Sequence, residues 1–194
     1  MPTNIQEAIH EFWTSDKSSP ERMWDSWEDP HRKQILTALS CLPPFTSLYE
    51  LGAGCGPNLR LIHYYRRQTK LAGFDTNPGH VAFARERGLE ITHGDFPQAP
   101  GEEWDVALSC YALAYVEPEI AKDTIAAIGS KALVLFEPTA LIEPFAQPGL
   151  YQLGVPTFAH DYLSMLRDTG WRIHWRWPLY PHHQGLNVIV VAER

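Results

Sequence analysis

The feature of the sequence that most constrains the fold is a glycine-rich turn directly after a short apolar segment. Apolar residues alternate over residues 48–51, and glycine then occupies every second position, at Gly52, Gly54 and Gly56. Glycine tolerates positive φ, and without a Cβ it lets a ligand approach the backbone at a helix N-terminus, where free N–H groups attract anions. Because a helix-like segment over residues 58–68 follows at once, we predict a strand, a tight turn and a helix that together bind a nucleotide-like ligand.

The spacing of these glycines differs from that of a dinucleotide-binding turn. Such a turn has glycine at its first, third and sixth positions, whereas the sixth position here is Pro57 and the additional glycine is Gly56. Glu50, two residues before the first glycine, adds a negative charge where a diphosphate would lie. The arrangement Glu-x-Gly-x-Gly-x-Gly instead resembles the first motif of the class I S-adenosylmethionine-dependent methyltransferases.

This resemblance implies a cofactor site at the turn. In that family the glycine loop lies under the methionine part of S-adenosylmethionine, and S-adenosylhomocysteine is the product. The acid before the loop helps to orient the cofactor's ammonium group, directly or through water. The residues of this sequence that match the motif are Glu50, Gly52, Ala53, Gly54, Cys55 and Gly56.

Two further acidic residues follow predicted strands. Asp75 ends the strand predicted over residues 71–75, about 20 residues after the turn, where a carboxylate can accept both hydroxyls of a ribose. This spacing suits a dinucleotide equally well, and capping of the next helix is an alternative role. Asp95, in the sequence Gly-Asp-Phe after the strand predicted over residues 89–92, resembles the acid that accepts the adenine amino group in the family. The resemblance also assigns Thr76, Asn77, Phe96 and Ser109 to the cofactor site.

The end of the chain determines the predicted topology. Strands are predicted over residues 104–109, 131–136, 171–177 and 187–192, a long proline-bearing loop over residues 139–157, and a helix over residues 160–169. The last two strands are joined by too few residues, 178–186, for a helical crossover, so they must be antiparallel. The resemblance therefore implies an α/β fold with a Rossmann-like seven-stranded sheet of order 3-2-1-4-5-7-6, its last strand antiparallel, and helices on both faces.

The residues before the first predicted strand contain three amphipathic segments, which begin near Ile5, Met23 and Pro30. Aromatic residues at helical spacing most simply pack against the sheet domain. In the resembling family, however, N-terminal helices often cover the cofactor and one wall of the substrate pocket. We therefore predict a helical lid or cap over residues 1–46 and a methyltransferase domain over residues 47–194.

Candidates for contact with a methyl acceptor follow from the predicted sheet edge. Ligands of open α/β sheets bind outside the C-terminal ends of the parallel strands. A histidine in the last turn could accept the proton released during methyl transfer, although solvated loop histidines are common. The candidate catalytic residues are His182, His183 and Tyr111. The candidate substrate-binding residues are Trp27 in the predicted lid and, at this edge, Tyr111, Tyr115, Tyr151, His160 and Tyr180. Glu137 lies at the same predicted edge.

Several other classes of function are disfavoured. Residues 109–112 lack the tetrad of amino-methylating DNA enzymes, and only Glu137 stands where a catechol-type enzyme needs metal-binding acids, so we expect no metal. The net charge is −7 and the sequence has no basic run, whereas proteins that bind nucleic acid normally carry a cationic surface. A nucleic-acid partner is therefore disfavoured. Cys41, Cys55 and Cys110 have neither disulfide nor zinc spacing. No apolar run suggests a membrane span or signal peptide, and we expect a soluble cytoplasmic protein.

Together these features predict a methyltransferase that transfers a methyl group from S-adenosylmethionine to N or O of a small-molecule acceptor by in-line displacement. A catalytically silent S-adenosylmethionine-binding module is one alternative, and a methyltransferase with a protein or nucleotide acceptor is another. An NAD-dependent oxidoreductase is opposed by Pro57, by Asp95 and by the terminal antiparallel pair. The acceptor and the oligomeric state are open at this point.

Overall fold

The computed structural model describes residues 5–15, 19–139, 145–150, 156–182 and 185–194. Its α-helices are α1 (Ile5–Thr14), α2 (Pro20–Asp25), α3 (Pro30–Ser40), α4 (Pro57–Tyr65), α5 (Pro78–Glu86), α6 (Pro118–Ala127) and α7 (Tyr162–Asp168). Short 3₁₀ helices span Ser26–Glu28 and Leu113–Tyr115. The strands are β1 (Ser47–Leu51), β2 (Lys70–Asp75), β3 (Glu90–His93), β4 (Val106–Cys110), β5 (Ala132–Thr139), β6 (Phe145–Leu150), β7 (Pro156–Ala159), β8 (Arg172–His182) and β9 (Gly185–Glu193). Among these helices, none combines the length and the apolar character needed to span a membrane.

Seven of the strands form one sheet in the order β3-β2-β1-β4-β5-β9-β8. The five strands from β3 to β5 in this order are parallel, and β9 is antiparallel to both β5 and β8. Leu51, the last residue of β1, lies opposite Phe74 of β2 and Ser109 of β4, so these three strands end at one edge. The predicted sheet order and reversed final strand are confirmed.

Helices cover both faces of this sheet. Leu133 and Val134 are neighbours on β5 and belong to two separate buried clusters, because successive strand residues point to opposite faces. The cluster around Val134 includes residues of α3, α4 and α5, and the cluster around Leu133 includes residues of α6 and α7. α3 is part of the first cluster through Ile35, Ala38 and Leu39, so it belongs to the helical layer of the sheet.

The two helices beside the predicted cofactor site have strong local start signals. α4 and α5 both begin with proline, whose fixed φ suits the first helical position and whose missing N–H is not needed there. The side-chain oxygen of Asn77 accepts the N–H groups of Gly79 and His80 at 2.8 and 3.1 Å. Asn77 thus caps α5 and fixes the start of that helix directly after β2.

Two segments differ from their predicted form. β8 pairs with β9 as far as His182 opposite Gly185, so most of the connection predicted over residues 178–186 is strand. Pro178 and Pro181 are tolerated because β8 is an edge strand and its register shifts between them. The long segment predicted over residues 139–157 contains β6, which pairs antiparallel with β7 outside the main sheet.

Candidate active site

The glycine turn has the local structure that the sequence predicts. Gly52, Gly54 and Gly56 have φ of 59°, 57° and 86°, in the left-handed region that glycine adopts without strain. A Cβ on Gly52 would lie 2.6 Å from the Cβ of Ala112, so the turn also packs closely against the segment after β4. Gly56 is the N-cap of α4, and the turn therefore connects the end of β1 directly to a helix N-terminus.

A pocket of about 600 Å³, partly open to solvent, lies at the C-terminal ends of β1, β2 and β4. Five of the predicted cofactor residues lie in its wall, from the glycine turn, from the end of β2 and from the segment after β3. The lining residues are Ile9, His10, Trp13, Gly52, Phe74, Asp75, Thr76, Asp95, Phe96, Tyr111, Ala112, Tyr115 and Val116.

Asp75 occupies the floor of this pocket and is held by backbone groups. Its Oδ2 accepts the N–H of Gly54 at 2.7 Å, and its Oδ1 accepts the N–H of Asn77 at 2.9 Å. Burial raises the pKa of this carboxyl, although the two backbone donors and nearby His80 act in the opposite direction. The side chain is 13% exposed, so it remains accessible from the pocket while it joins the glycine turn to β2.

α1 forms the opposite wall of the pocket. His10 Nδ1 lies 3.7 Å from Oδ2 of Asp95, and the rings of Trp13 and Tyr115 are in edge-to-face contact at 4.8 Å. The Nδ2 of Asn77 donates to the backbone oxygen of Trp13 at 2.5 Å. These contacts place the first helix of the predicted lid directly beside the predicted cofactor residues.

Glu50 is absent from the pocket wall and lies beneath the turn. It is 1% exposed, and its Oε1 accepts from Nδ2 of Asn58, in the first turn of α4, at 2.5 Å. Within the described part of the chain, no hydrogen-bond partner reaches its Oε2. Burial raises the pKa of Glu50 to about 8, against the opposing effects of Asn58 and of the positive charge on Arg32. Sequence reasoning missed Asn58 and Arg32, because no motif in the sequence links them to Glu50.

Tyr111 lies at the end of the pocket nearest β4 and β9. Its φ of 53° is uncommon for a residue with a Cβ, and such backbone strain is concentrated at functional sites. Asn187 of β9, which is 5% exposed, donates from Nδ2 to the Tyr111 hydroxyl at 2.6 Å. The ring of Tyr111 lies 5.1 Å from that of Phe136. Asn187 is a further residue that the sequence analysis did not single out.

The structure places Ser109 and Glu137 in a buried polar cluster that is separate from the pocket wall. Oε1 of Glu137 accepts from the Ser109 hydroxyl at 2.6 Å and from the N–H groups of Ala112 and Leu113 at 3.0 and 3.2 Å. Its Oε2 accepts the N–H of Ala114 at 3.3 Å. Burial raises the pKa of Glu137 to about 7, and these donors oppose the shift. The cluster shapes the segment after β4 that carries Tyr111 and Tyr115.

Three other predicted residues lie away from the pocket wall. His160 is fully buried, with Nε2 2.9 Å from the Leu113 oxygen, and burial lowers its pKa. Trp27 packs 5.5 Å from the ring of Tyr64, on the outer side of α4. The thiol of Cys55 donates to the Pro20 oxygen at 3.2 Å, and burial raises its pKa to about 12.

The remaining predicted residues fall into three groups. Ala53 is buried in the turn, and its N–H donates to the Phe74 oxygen at 2.8 Å. The backbones of Tyr180 and His182 lie in β8, whereas Tyr151 and His183 lie outside the described residues. Within the described segments, no group of three or more His, Cys, Asp or Glu residues could hold a metal ion.

Comparisons with known proteins address the fold. No model of a known protein family matches the sequence, and no curated protein matches it. Geranyl diphosphate C-methyltransferase from Streptomyces coelicolor A3(2), in complex with Mg²⁺, geranyl diphosphate and S-adenosyl-L-homocysteine, has a TM-score of 0.75 and 12% identity, with 100% of this chain and 99% of that chain covered.

Two other solved structures are similar over most of the chain. Magnesium protoporphyrin IX methyltransferase from Synechocystis PCC 6803 with bound S-adenosylmethionine has a TM-score of 0.66 and 15% identity, and the match covers 100% of this chain and 99% of that chain. An S-adenosylmethionine-dependent methyltransferase from Mesorhizobium loti has a TM-score of 0.65 and 16% identity, over 87% of this chain and 100% of that chain. This chain therefore has the fold of the class I S-adenosylmethionine-dependent methyltransferases.

Proposed function

We propose that this protein is an S-adenosylmethionine-dependent methyltransferase that methylates N or O of a small-molecule acceptor. The observation that carries the proposal is that Gly52, Asp75, Asp95 and Phe96 converge on one pocket at the C-terminal edge of the sheet. These residues come from three separate segments of the chain, so their convergence depends on the fold. Similar structures whose names include geranyl diphosphate and magnesium protoporphyrin IX support a small-molecule acceptor.

The residues of the pocket suit the adenosine part of the cofactor. Each oxygen of Asp75 accepts one backbone N–H and has a second acceptor site, so the carboxylate can bind two ribose hydroxyls. Asp95 is exposed in the pocket wall beside the half-buried ring of Phe96, which offers an acceptor and an apolar surface for adenine. On the same side of the pocket, Thr76 lies in the wall and Asn77 caps the N-terminus of α5.

The residues at the glycine turn suit the methionine part. An ammonium group needs acceptors, and Oε2 of Glu50 is a buried carboxylate oxygen without a partner among the described residues. The left-handed backbone of Gly52 and Gly54 leaves no Cβ between the turn and a ligand. When bound, the cofactor supplies a methyl group on a positively charged sulfur.

We propose that the protein accelerates transfer mainly by alignment. Holding a nucleophile in line with the methyl carbon and sulfur contributes up to roughly 7–11 kcal/mol in favourable intramolecular reactions. Tyr111 and Tyr115 form an aromatic wall for the acceptor, with Tyr151 and Tyr180 as further candidates. His182, His183 or Tyr111 would take or relay a proton where the acceptor releases one. α1, which brings Trp13 and His10 to the pocket, would serve as a lid over the cofactor.

Calorimetric titration tests the cofactor assignment. We expect S-adenosylmethionine and S-adenosylhomocysteine to bind at micromolar concentrations and NAD not to bind, and we expect Asp75→Ala to abolish binding. Binding of NAD alone, or of none of the three ligands, would overturn the proposal.

Acceptor screening with radiolabelled S-adenosylmethionine then tests catalysis. Transfer of the label to a small molecule, reduced by Tyr111→Leu and Tyr115→Leu, is the expected result. Tight cofactor binding without turnover on any acceptor would favour the silent binding module instead.

A further inference from the structure

A buried chain of hydrogen bonds connects the N-terminal helices to the glycine turn. Nη1 of Arg32, on α3, donates to Oδ1 of Asn58 at 2.6 Å. Nδ2 of Asn58 in turn donates to Oε1 of Glu50 at 2.5 Å. Asn58 is 4% exposed and Glu50 is 1% exposed, so water has little access to this chain.

The direction of every bond in this chain is set by Arg32. A guanidinium group has only donors, so the oxygen of the Asn58 amide must face Arg32. The NH₂ group of Asn58 must then face Glu50, whose Oε1 accepts. Arg32 thus determines that Glu50 receives a donor at one of its two oxygens.

The other oxygen of Glu50 is the unusual element. Oε2 is buried and has no hydrogen-bond partner among the described residues. A buried carboxylate oxygen without a partner is costly, because it loses its bonds to water and gains none in return. A cationic donor that reached this oxygen would remove the cost.

We propose that Arg32 is a positioning residue that acts through Asn58 to present Oε2 of Glu50 to the ammonium group of the bound methyl donor. This inference rests on the proposed function. It assigns α3 a role in cofactor affinity as well as in the core of the sheet.

The same guanidinium also holds the segment before α3. Nε of Arg32 donates to the backbone oxygen of Ser26 at 3.0 Å, and Nη2 donates to the Ser26 hydroxyl at 3.0 Å. Ser26 begins the 3₁₀ helix between α2 and α3. Cofactor binding at Glu50 is therefore coupled to the docking of the N-terminal segment.

Three ligands and four variants, two of which break the hydrogen-bond series, test the proposal by calorimetry. S-adenosylhomocysteine has the ammonium and the carboxylate of the cofactor, decarboxylated S-adenosylmethionine has the ammonium alone, and 5′-methylthioadenosine has neither. Arg32→Met removes the guanidinium. Asn58→Asp keeps an acceptor for Arg32 and removes the donor to Glu50. We expect each variant to bind the first two ligands more weakly, by about tenfold or more. This factor corresponds to the loss of one hydrogen bond to a charged group.

The affinity for 5′-methylthioadenosine should change by less than about twofold in Arg32→Met and in Asn58→Asp. The loss of one hydrogen bond to a charged group would change it by about tenfold. Arg32→Lys keeps a cationic donor toward Asn58 and should recover most of the affinity for S-adenosylhomocysteine. Arg60→Met is the matched control: Arg60 lies 4.5 Å from the rings of Trp24 and Trp27 at the same helix interface, without contact to Glu50. It should bind all three ligands as the wild type does.

Three results would overturn the inference. Equal weakening of all three ligands would show that Arg32 only supports the fold. A loss confined to S-adenosylhomocysteine would show that Arg32 contacts the carboxylate directly. Equal affinity of the wild type for all three ligands would show that the ammonium contributes nothing. If Arg32→Met does not fold, Asn58→Asp and Arg32→Lys decide by the same comparison. A wild type that binds none of the ligands would refute the proposed function itself.

Discussion

The backbone N–H of Gly54 donates to Oδ2 of Asp75 at 2.7 Å, and this bond joins the glycine turn after β1 to the end of β2. Oδ1 of the same carboxylate accepts the N–H of Asn77, at the start of α5. One side chain thus holds two loops that line the pocket. A ligand that binds there meets a surface whose shape is already determined in its absence.

Alanine at Gly52 should destabilise the protein more than alanine at Gly88. Both glycines have positive φ, 59° and 80°, so both substitutions introduce backbone strain of about 1–2 kcal/mol. A Cβ at position 52 would also lie 2.6 Å from the Cβ of Ala112, whereas nothing lies within 4 Å at position 88. We expect Gly52→Ala to lower the free energy of unfolding in urea by about 1–3 kcal/mol more than Gly88→Ala.

The double variant Gly52→Ala/Ala112→Gly isolates the steric part of this effect. Removing the opposing Cβ relieves the overlap but leaves the backbone strain. The double variant should therefore be less destabilised than the sum of the two single variants. Additive effects would contradict the close approach of the turn to Ala112.

Replacing Glu50 by Gln should stabilise the protein at high pH. The pKa of Glu50 is raised to about 8, above its ordinary value of 4.5, so its ionisation opposes folding. The stability associated with the protonated group is fully present below pH 4.5 and is lost as the pH rises through 8. Glu50→Gln should therefore gain about 1–3 kcal/mol over the wild type in urea unfolding at pH 8, and less at pH 5.

Glu137→Gln provides the contrasting case. Glu137 is also buried with a raised pKa, but its two oxygens accept from Ser109 and from three backbone N–H groups. An amide NH₂ would face one of these donors and leave it without an acceptor. We expect Glu137→Gln to be destabilised by about 1–3 kcal/mol at neutral pH. Equal responses of the two variants would show that their hydrogen bonds do not decide the outcome.

Tyr111 and Asn187 should be energetically coupled. Tyr111→Phe removes the hydroxyl that accepts a hydrogen bond from Nδ2 of the buried Asn187. Asn187 then loses this acceptor. We expect a double-mutant cycle of Tyr111→Phe with Asn187→Leu to give a coupling of about 1 kcal/mol in urea unfolding. The affinity for S-adenosylhomocysteine should be unchanged in Tyr111→Phe, because the ring that lines the pocket is kept. A coupling near zero would contradict the contact.

Trp13→Ala should weaken cofactor binding and loosen α1. Trp13 lines the pocket and contacts the Tyr115 ring at 4.8 Å. Its removal takes away one wall of the pocket and the main aromatic contact of α1. We expect S-adenosylhomocysteine to dissociate faster, by stopped-flow fluorescence, and hydrogen exchange of α1 to increase.

Trp24→Ala is the matched control for this experiment. Trp24 is an equally large side chain of the N-terminal segment, half-buried against Phe83 and Arg60. It lies outside the residues that line the pocket. Its loss should reduce stability without a change in the dissociation rate. Equal rates in the two variants would contradict a lid role for α1.

The predicted topology was correct for local and chain-length reasons. The glycines at positions 52, 54 and 56 permit the left-handed turn without strain. The connection between β8 and β9 is too short for a helical crossover and therefore for parallel pairing. The sequence failed to predict β6 paired with β7, because that pairing lies outside the main sheet and its prolines suggested a loop. The strand predicted over residues 171–177 also ended too early, because the prolines that follow suggested a turn although an edge strand tolerates them.

The candidate site was predicted in part. Gly52, Asp75, Asp95 and Phe96 lie together at the pocket as the motifs suggested. Ser109 was assigned to the site by the family resemblance and His160 by its place near the predicted sheet edge, yet both are fully buried and bonded within the protein. Position along a strand does not reveal which neighbour a polar side chain will find, because that neighbour comes from a distant segment.

The sequence by itself determined the turn, the reversal of the last strand and the acidic residues at the end of β2 and after β3, because spacing along the chain controls backbone conformation and strand connection. The sheet order was implied by the family resemblance. Only the tertiary structure decided the partners of the buried polar groups. Arg32 meets Asn58, 26 positions away, and Tyr111 meets Asn187, 76 positions away. Such pairs form because a buried donor or acceptor must be satisfied by whatever group the packing of helices and strands brings within reach.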